Sequence, residues 1–480
     1  MTLTFDDLLS LPGARGYNIE GMGQRTFKGV STDSRTTKQG EIFFAIRGER
    51  LDGHEFVGRA FENGALIAVI HTPQSIDMFK THPLLLVEDS TKALGKLAKN
   101  YRRKFDIPII AVAGSNGKST TKDMIAAVLG KKYNVLKTEG NLNNHIGVPH
   151  TLFRLQQKHD LAVIEIGTNH FGELSYLCEI LEPTHGLITN VGREHLEFFG
   201  DVKGAAKAEG ELYESLGRSG IGFINADDPW VVRKAKVVKR KVTYGFAKTN
   251  VHIRGRFLGI NDRARAAFSA KVKGKREFNI QLSVPGKHAA SCALGAAAVG
   301  IQFNVAQRKI QQALRGFTSA SKRMETMSTG GITILNDTYN ANPDSVLAAL
   351  ETMSAMRCRG KKIVVLADML ELGAHAREEH RGIGTRIGDS GAEYLLTCGH
   401  LAKFIHDESD IPLKFHYDEK NILSEYLSEL VSPGDIVLVK GSRRMRMEDV
   451  VTFLVERFEQ GKRVTRQSVR SRQSLELPVS

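Results

Sequence analysis

The sequence predicts an α/β protein of three domains, on three observations. Short apolar runs alternate with helix-patterned segments over most of the chain, the arrangement that yields parallel, doubly wound sheets. At 480 residues the chain is long enough for about three domains. One apolar run, IPIIAVAG, leads straight into the glycine-rich turn of AVAGSNGKSTTK (111–122), and an apolar-striped helix follows.

Composition narrows the class. Hydrophobic residues make up 41% and charged residues 25%, the balance of an ordinary globular chain. No apolar run approaches the roughly 18 residues that span a bilayer. MTLTFDDLLSLPG carries acids where a secretion signal carries lysines, so a cytoplasmic chain without membrane insertion is expected. Cys178, Cys292, Cys358 and Cys398 form no C-x-x-C pair, which argues against a zinc knuckle and for buried, reduced thiols. Part of the net charge of +14 falls in GKRVTRQSVRSRQSLELPVS (461–480), where five basic residues face one acid. A disordered tail is expected over 463–480. The remaining charge suits a phosphorylated small substrate. A nucleic-acid surface would need aromatic–basic interleaving, so no nucleic-acid partner is expected.

The elements follow in order. Residues 1–88 read as a small N-terminal α/β domain with apolar runs GEIFFAIRG (40–48), ALIAVIH (65–71) and LLLVED (84–89). A basic helix, TKALGKLAKNYRRKF, opens the central unit, 89–318. Its strands are IPIIAVAG, DLAVIEIG (160–167), HGLITNVG (185–192), GIGFINAD (220–227) and KVTYGF (241–246), in a doubly wound parallel sheet. Residues 251–284 alternate as antiparallel β. The third unit, 319–462, is Rossmann-like, with ITILND (332–337), KKIVVLAD (361–368), AEYLLTCG (392–399) and GDIVLVKG (434–441). Hinges between units are expected near 88–91 and 316–322.

The turn at 111–122 departs from the strict G-x-x-x-x-G-K-[ST] phosphate loop (P-loop), because Val112 stands where the first glycine belongs. Its context is still that of such a loop. Met124, Ile125, Val128 and Leu129 stripe the helix that follows. Backbone N–H groups at the helix start, with the helix dipole, favour an anion. Gly114 and Gly117 let the main chain come close to it. Lys118 can neutralise the outer phosphates, and Ser119 or Thr120 can offer a hydroxyl to Mg²⁺. Glu165 ends AVIEIG and His195 follows LITNVGRE, so both fall at carboxyl ends of strands, where such sheets bind ligands. Glu165 is the hard oxygen donor that Mg²⁺ prefers, and His195 a less typical one. A plain strand–helix turn, with Glu165 and His195 as structural residues, is the simpler alternative.

Seven motifs then occur in one order: GSNGKSTTK (114–122), TEGNLNNHIGVP (138–149), EIGTNHFGEL (165–174), NVGREHLEFFG (190–200), NDTYNANPDS (336–345), DMLELG (368–373) and VLVKGSRRMRME (437–448). Together with STDSR (31–35) and DGHEF (52–56) they resemble the Mur ligase family over residues 5–460. The YNANP and KGSR…ME runs resemble the branch that adds D-alanyl-D-alanine to UDP-N-acetylmuramoyl-tripeptide. The resemblance implies an ATP- and Mg²⁺-dependent amide ligase of peptidoglycan precursor synthesis, acting as a monomer on those two substrates through an acyl phosphate. The family's loop, G-[ST]-N-G-K-[ST]-[ST], needs no glycine at Val112. It implies ATP contacts from Gly114, Ser115, Asn116, Gly117, Lys118, Ser119 and Thr120, with Ser119, Glu165 and His195 at the metal. His288, Arg323 and Asp337 are implied at the nucleotide. Asn143, Asn144, Thr168 and Asn169 are implied at the muramoyl substrate, and Ser31, Asp33, Ser34 and Arg35 at its uridine end. Asn340, Asn342, Lys440, Ser442 and Arg443 are implied near the cleft that takes the dipeptide.

Three departures from the family's pattern stand out. Fourteen residues after His195, where the family often has a carbamylated lysine at a second metal, this chain has Glu209. A glutamate offers the same O–C–O group on a shorter arm, so Glu209 is expected to replace the carbamate without CO₂. The alternatives are that Lys207 takes that role or that Glu209 is solvated. In GKHAASC (286–292), Ala289 and Cys292 replace asparagines that contact adenosine, while His288 remains. Arg444 stands where glycine is usual and reads as surface charge. Two competing readings are a related ligase and a nucleotide-dependent switch. STDSR argues against a folate-type ligase, and NDTYNANP against a diamino-acid-adding one. The switch lacks a recognisable moving element.

Overall fold

The computed structural model describes residues 3–459; the tail expected over 463–480 lies outside them. The first unit carries a five-stranded sheet in the order Arg15–Tyr17, Leu84–Leu86, Ile67–Ile70, Glu41–Phe44, Gly29–Ser31. Its pairings are parallel except for Arg15–Tyr17. Ile42, Ile67, Leu84 and Leu85 are fully buried, as their unbroken apolar runs require of a sheet covered on both faces.

The central sheet has nine strands. Their order is Phe278–Pro285, Arg265–Val272, Ile253–Ile260, Arg240–Gly245, Ile221–Asn225, His185–Ile188, Ile109–Ala113, Leu161–Glu165, Val135–Lys137. Pairing is parallel from Val135–Lys137 to Ile253–Ile260 and antiparallel in the last two pairs, as the alternating pattern over 251–284 predicts. Helix Lys118–Leu129 packs on one face beside Lys287–Gln302, while Val202–Glu214 covers the other. Met124, Ile125, Val128 and Leu129 are completely buried, so the stripe read from the sequence is the helix's packed face. The chain leaves strand Ile109–Ala113 toward one edge and later returns to build the other. This reversal opens a crevice at the strand's carboxyl end, beside the glycine-rich loop.

The third unit's six strands run Glu325–Thr329, Ile332–Asp337, Ile436–Lys440, Lys362–Ala367, Tyr394–Cys398, Leu413–Tyr417. All pair in parallel except the Glu325–Thr329 hairpin. Before that hairpin, Lys322 and Met324 take positive φ values of 64° and 48°, at the edge of the segment read as a hinge. Among the described residues no helix is long and apolar enough to cross a membrane.

Candidate active site

A cavity of about 940 Å³ lies at the carboxyl end of the central sheet, roofed by the third unit and reaching Asp89, Thr91 and Lys92 near the first. The glycine-rich loop forms its floor. Gly114 has φ 116°, and a Cβ there would sit 2.3 Å from Thr189 Oγ1. Gly117 has φ 78° and directly precedes helix Lys118–Leu129; its Cβ would meet Cys292 Sγ at 2.9 Å. Both glycines are therefore required by conformation and by space.

Lys118 lies at the centre of an acidic cage. Its Nζ folds back on the carbonyls of Gly114 and Ser115 and stands 3.4 Å from Glu194 Oε2. Burial works against the ammonium, but Glu194, Glu209 and Glu165 outweigh it and raise its pKa. Glu165 is 1% exposed, accepts from Ser119 Oγ at 2.6 Å and from Asn143 Nδ2 at 2.9 Å. Glu209, on helix Val202–Glu214, is also 1% exposed, and its Oε2 accepts from Gly114 N–H at 2.7 Å. Lys207, two residues earlier, is exposed, with its ammonium 5.0 Å from the centre of the Phe171 ring. Burial, then the neighbouring Glu194 carboxylate, holds the Glu209 carboxyl well above its usual range. Glu194 is the ionised partner, because Lys118 and His195 offset its own burial.

The donor set fits Mg²⁺. Glu194 and Glu209 are buried carboxyls that share a hydrogen bond, and Ser119 Oγ is already turned to Glu165. These are hard oxygen donors, which Mg²⁺ supplements with phosphate and water. Among the described residues no three His, Cys, Asp or Glu side chains form a complete metal cluster, so the expected set Ser119, Glu165, His195 and Glu209 is not gathered around one point. His195 Nδ1 lies 2.6 Å from Glu371 Oε2 of the third unit. Both residues adopt left-handed backbone, φ 47° and 64°, a cost of about 1–3 kcal/mol each that surrounding contacts must hold. His195, and then Arg444, draw the Glu371 carboxyl below its usual value, so the charge of Arg444 reaches the edge of the site.

The other predicted residues sort by place. Asn143, Asn144, Thr168 and Asn169 line the cavity beside Glu165. His288 and Cys292 line it under the loop, and Ala289 is buried behind them. Across the cleft, Lys440 is 2% exposed; its Nζ donates to Asp337 Oδ2 at 2.5 Å and to the Asn340 carbonyl at 2.8 Å. The Arg323 guanidinium stacks 3.6 Å from the centre of the Tyr339 ring. Asn342 caps helix Pro343–Ser354 and donates from Nδ2 to Asn116 Oδ1 at 3.0 Å, which joins the third unit to the loop. Ser442 and Arg443 stand behind the wall: Ser442 Oγ accepts from Leu370 N–H, and Arg443 pairs with Glu448. Ser31, Asp33, Ser34 and Arg35 do not line the cavity. They form a turn of the first unit, with Arg35 paired to Asp33 at 2.6 Å and 73% exposed. Sequence reasoning missed Glu194, although it lies beside His195 in a motif, because a buried acid and a solvated one look alike in sequence. It also missed Glu371, whose partner is 176 positions away, from 195 to 371.

Models of one family match most of the chain. Residues 26–102 match the Mur ligase family catalytic domain, 112–300 the Mur ligase middle domain, and 322–443 the Mur ligase glutamate ligase domain. The UDP-N-acetylmuramoyl-tripeptide–D-alanyl-D-alanine ligase of Bacillus subtilis (strain 168) is 36% identical over 440 residues, 90% of this chain and 94% of that protein. The chain belongs to the Mur ligase family. The enzyme of the same name from Escherichia coli (strain K12) is 33% identical over 90% of this chain and 94% of its own. Among solved structures, MurF from Acinetobacter baumannii matches with TM-score 0.87 and 27% identity, over 95% of this chain and 99% of that one. MurF ligase from Thermotoga maritima in complex with ADP matches with TM-score 0.77 and 25% identity, over 90% and 98%.

Proposed function

We propose that this chain is the ATP-dependent ligase that joins D-alanyl-D-alanine to UDP-N-acetylmuramoyl-tripeptide in peptidoglycan precursor synthesis. The observation that carries this reading is the cage around Lys118, buried at the floor of a cleft that the third unit closes. The Mur family relatives that bear this activity in their names, at 36% and 33% identity over nearly their full length, support it.

The chemistry follows from charge. A carboxylate oxygen of the tripeptide attacks the γ-phosphorus of ATP, the β–γ bond breaks, and ADP leaves. The amine of the dipeptide then attacks the acyl carbon, gives up a proton, and phosphate departs with the C–O electron pair. Both reactants of the first step are anions, so the site must supply cations that water would otherwise provide. Lys118 is the protein's own cation there. It is held by carbonyls and a 3.4 Å ion pair, contacts that an incoming phosphate can replace. Ser119, Glu165, His195 and Glu209 would hold Mg²⁺ after drawing together from the separate positions they take here, and the ion would supply further positive charge to the phosphate oxygens. The burial of Glu209 against the loop, beside Glu194 and Lys118, supports its direct use in place of a carbamate. We assign Asp337 and Arg323 to the nucleotide, and Asn340, Lys440, Ser442 and Arg443 to the dipeptide side. We assign Ser31, Asp33, Ser34 and Arg35 to the uridine end, and read the enzyme as a cytoplasmic monomer whose units meet near 88 and 318.

Phosphate release from ATP tests the reading. It should require the UDP-linked tripeptide and rise further with D-alanyl-D-alanine, with stoichiometric peptide product. Release that ignores both substrates would reject it.

A further inference from the structure

We infer that the outer face of strands Ile253–Ile260 and Arg265–Val272, with the lysine-bearing turn beside it, docks the protein on anionic lipid bilayers. Residues 233–276 carry fifteen lysines and arginines against one acid, Asp262. Their net charge of +14 equals that of the whole chain, so the other residues balance one another. None of the fifteen lines the cleft. The excess of positive charge therefore lies away from the cleft, not around it.

Register puts these charges on one plane. Helix Lys287–Gln302 packs on one face of the strands, against the side of Ile253, Phe268 and Ala270. The opposite face is bare at Arg254, Arg256 and Lys271, all exposed. Tyr244 pairs with Ile253 and Gly245 with Arg254, so Lys241 shares that face. Arg254 stands directly opposite Lys271. Lys273 and Lys275 occupy the turn that follows, and Lys273 N–H ties it to the His252 carbonyl at 3.1 Å. Thirteen of the fifteen basic side chains are exposed. Among the described residues the one ion pair they make joins Arg256 to Glu277 at 3.4 Å. Like charges directly opposite in an antiparallel ladder repel, and no acid interleaves to relieve Arg254 and Lys271. An anionic partner would relieve them.

The chemistry of the face selects that partner. Apart from Arg256 none of its cations is fixed by an acid, so they act as a field and not as forks matched to one carboxylate. A single-stranded nucleic acid would want stacking platforms. Phe257, the aromatic of strand Ile253–Ile260, instead packs against Phe246 and the core. Where the register breaks between Phe257 and Gly259, Leu258 is exposed, an apolar side chain beside the basic plane. Clustered lysine and arginine with an exposed apolar side chain suit a surface of acidic headgroups over an apolar layer. Docking of this kind is peripheral, leaves the cleft free, and is independent of the ligase reading.

Vesicle co-sedimentation of the full-length protein tests it. Wild type should bind vesicles of phosphatidylcholine with about one-third phosphatidylglycerol, ignore pure phosphatidylcholine, and come off as salt rises. The variant Arg254→Gln/Arg256→Gln/Lys271→Gln/Lys273→Gln should bind the anionic vesicles on the order of 10²-fold more weakly. Its melting temperature should not fall, because the repulsion across Arg254 and Lys271 is gone. Arg254→Lys/Arg256→Lys keeps the charge and should keep the binding, since a field needs no guanidinium fork. Wild-type binding by the quadruple variant would overturn the inference, as would equal binding to neutral vesicles or loss of binding in the lysine variant. Wild type that ignored anionic vesicles would overturn it too, even if it bound duplex DNA or polyglutamate.

Discussion

The two ends of the central sheet can be set side by side. Each opens into a cavity, about 940 Å³ at the carboxyl ends of the strands and about 760 Å³ at their amino ends. At the amino end polar groups are matched. Arg102 donates to the carbonyls of Leu181 and Glu182, Ile109 N–H donates to Thr184 Oγ1, Lys99 pairs with Glu179, and Arg240 donates to the Ser219 carbonyl. At the carboxyl end they are not. Tyr176 Oη is buried beside the cleft without a hydrogen-bond partner, the Glu194 and Glu209 carboxyls are buried against each other, and three acids surround one lysine. Burying such groups costs stability, which a fold tolerates where a ligand will complete them. Volume does not separate the two cavities; unmet chemistry does.

Four substitutions sharpen that contrast, two at each end. Lys118→Ala should have the largest effect, a fall in phosphate release on the order of 10³-fold in kcat, with the fold retained by circular dichroism. Glu209→Gln keeps the shape but removes a carboxyl that can ionise when a cation enters the site, and should cost on the order of 10²-fold in turnover. With Glu209 as the native group, bicarbonate-free buffer should leave the wild-type rate unchanged; a rate that depends on bicarbonate would point instead to a carbamate on Lys207. At the amino end the same measurements should be quiet. Arg102→Ala removes the donor to the carbonyls of Leu181, Glu182 and Phe105 and should lower unfolding stability by about 1–3 kcal/mol, with kcat unaltered.

The smallest effect concerns His185, whose pKa burial and Arg240 depress from 6.5 to about 4. The unfolded chain takes up that proton first, so the stability it provides is present above pH 6.5 and is lost as pH falls toward 4. His185→Gln should flatten this part of the acid unfolding curve and leave activity at neutral pH untouched. Steep catalytic loss from either amino-end variant would erase the distinction between the two ends.

Much of this was legible in the sequence, for physical reasons that differ by element. The buried parallel strands could be read because a strand covered on both faces must be apolar throughout, as IIAVA and IVLVK are. The phosphate loop could be read because two positive-φ positions and a helix start demand Gly114, Gly117 and the lysine between strand and helix. The edge strands Glu325–Thr329 and Leu413–Tyr417 could not, since half-exposed ETMST and LKFHY carry no unbroken apolar run. The pairings Lys440–Asp337, His195–Glu371 and Arg193–Asp344 were also hidden. Each joins positions more than a hundred residues apart, and local pattern says nothing about which distant acid a cation will meet. The uridine motif shows the reverse case. STDSR was easy to see, yet Ser31 and Ser34 are buried in their own unit and none of the run lines the main cavity, so its role depends on the substrate's length.

The account turns on phosphorylation of a carboxylate by ATP in the cage around Lys118. The most direct measurement uses UDP-linked tripeptide with both oxygens of its reacting carboxylate labelled with ¹⁸O, turned over with ATP and D-alanyl-D-alanine. One labelled oxygen should appear in each inorganic phosphate released, because the attacking oxygen leaves with the phosphoryl group. Peptide product formed with unlabelled phosphate would contradict the mechanism outright.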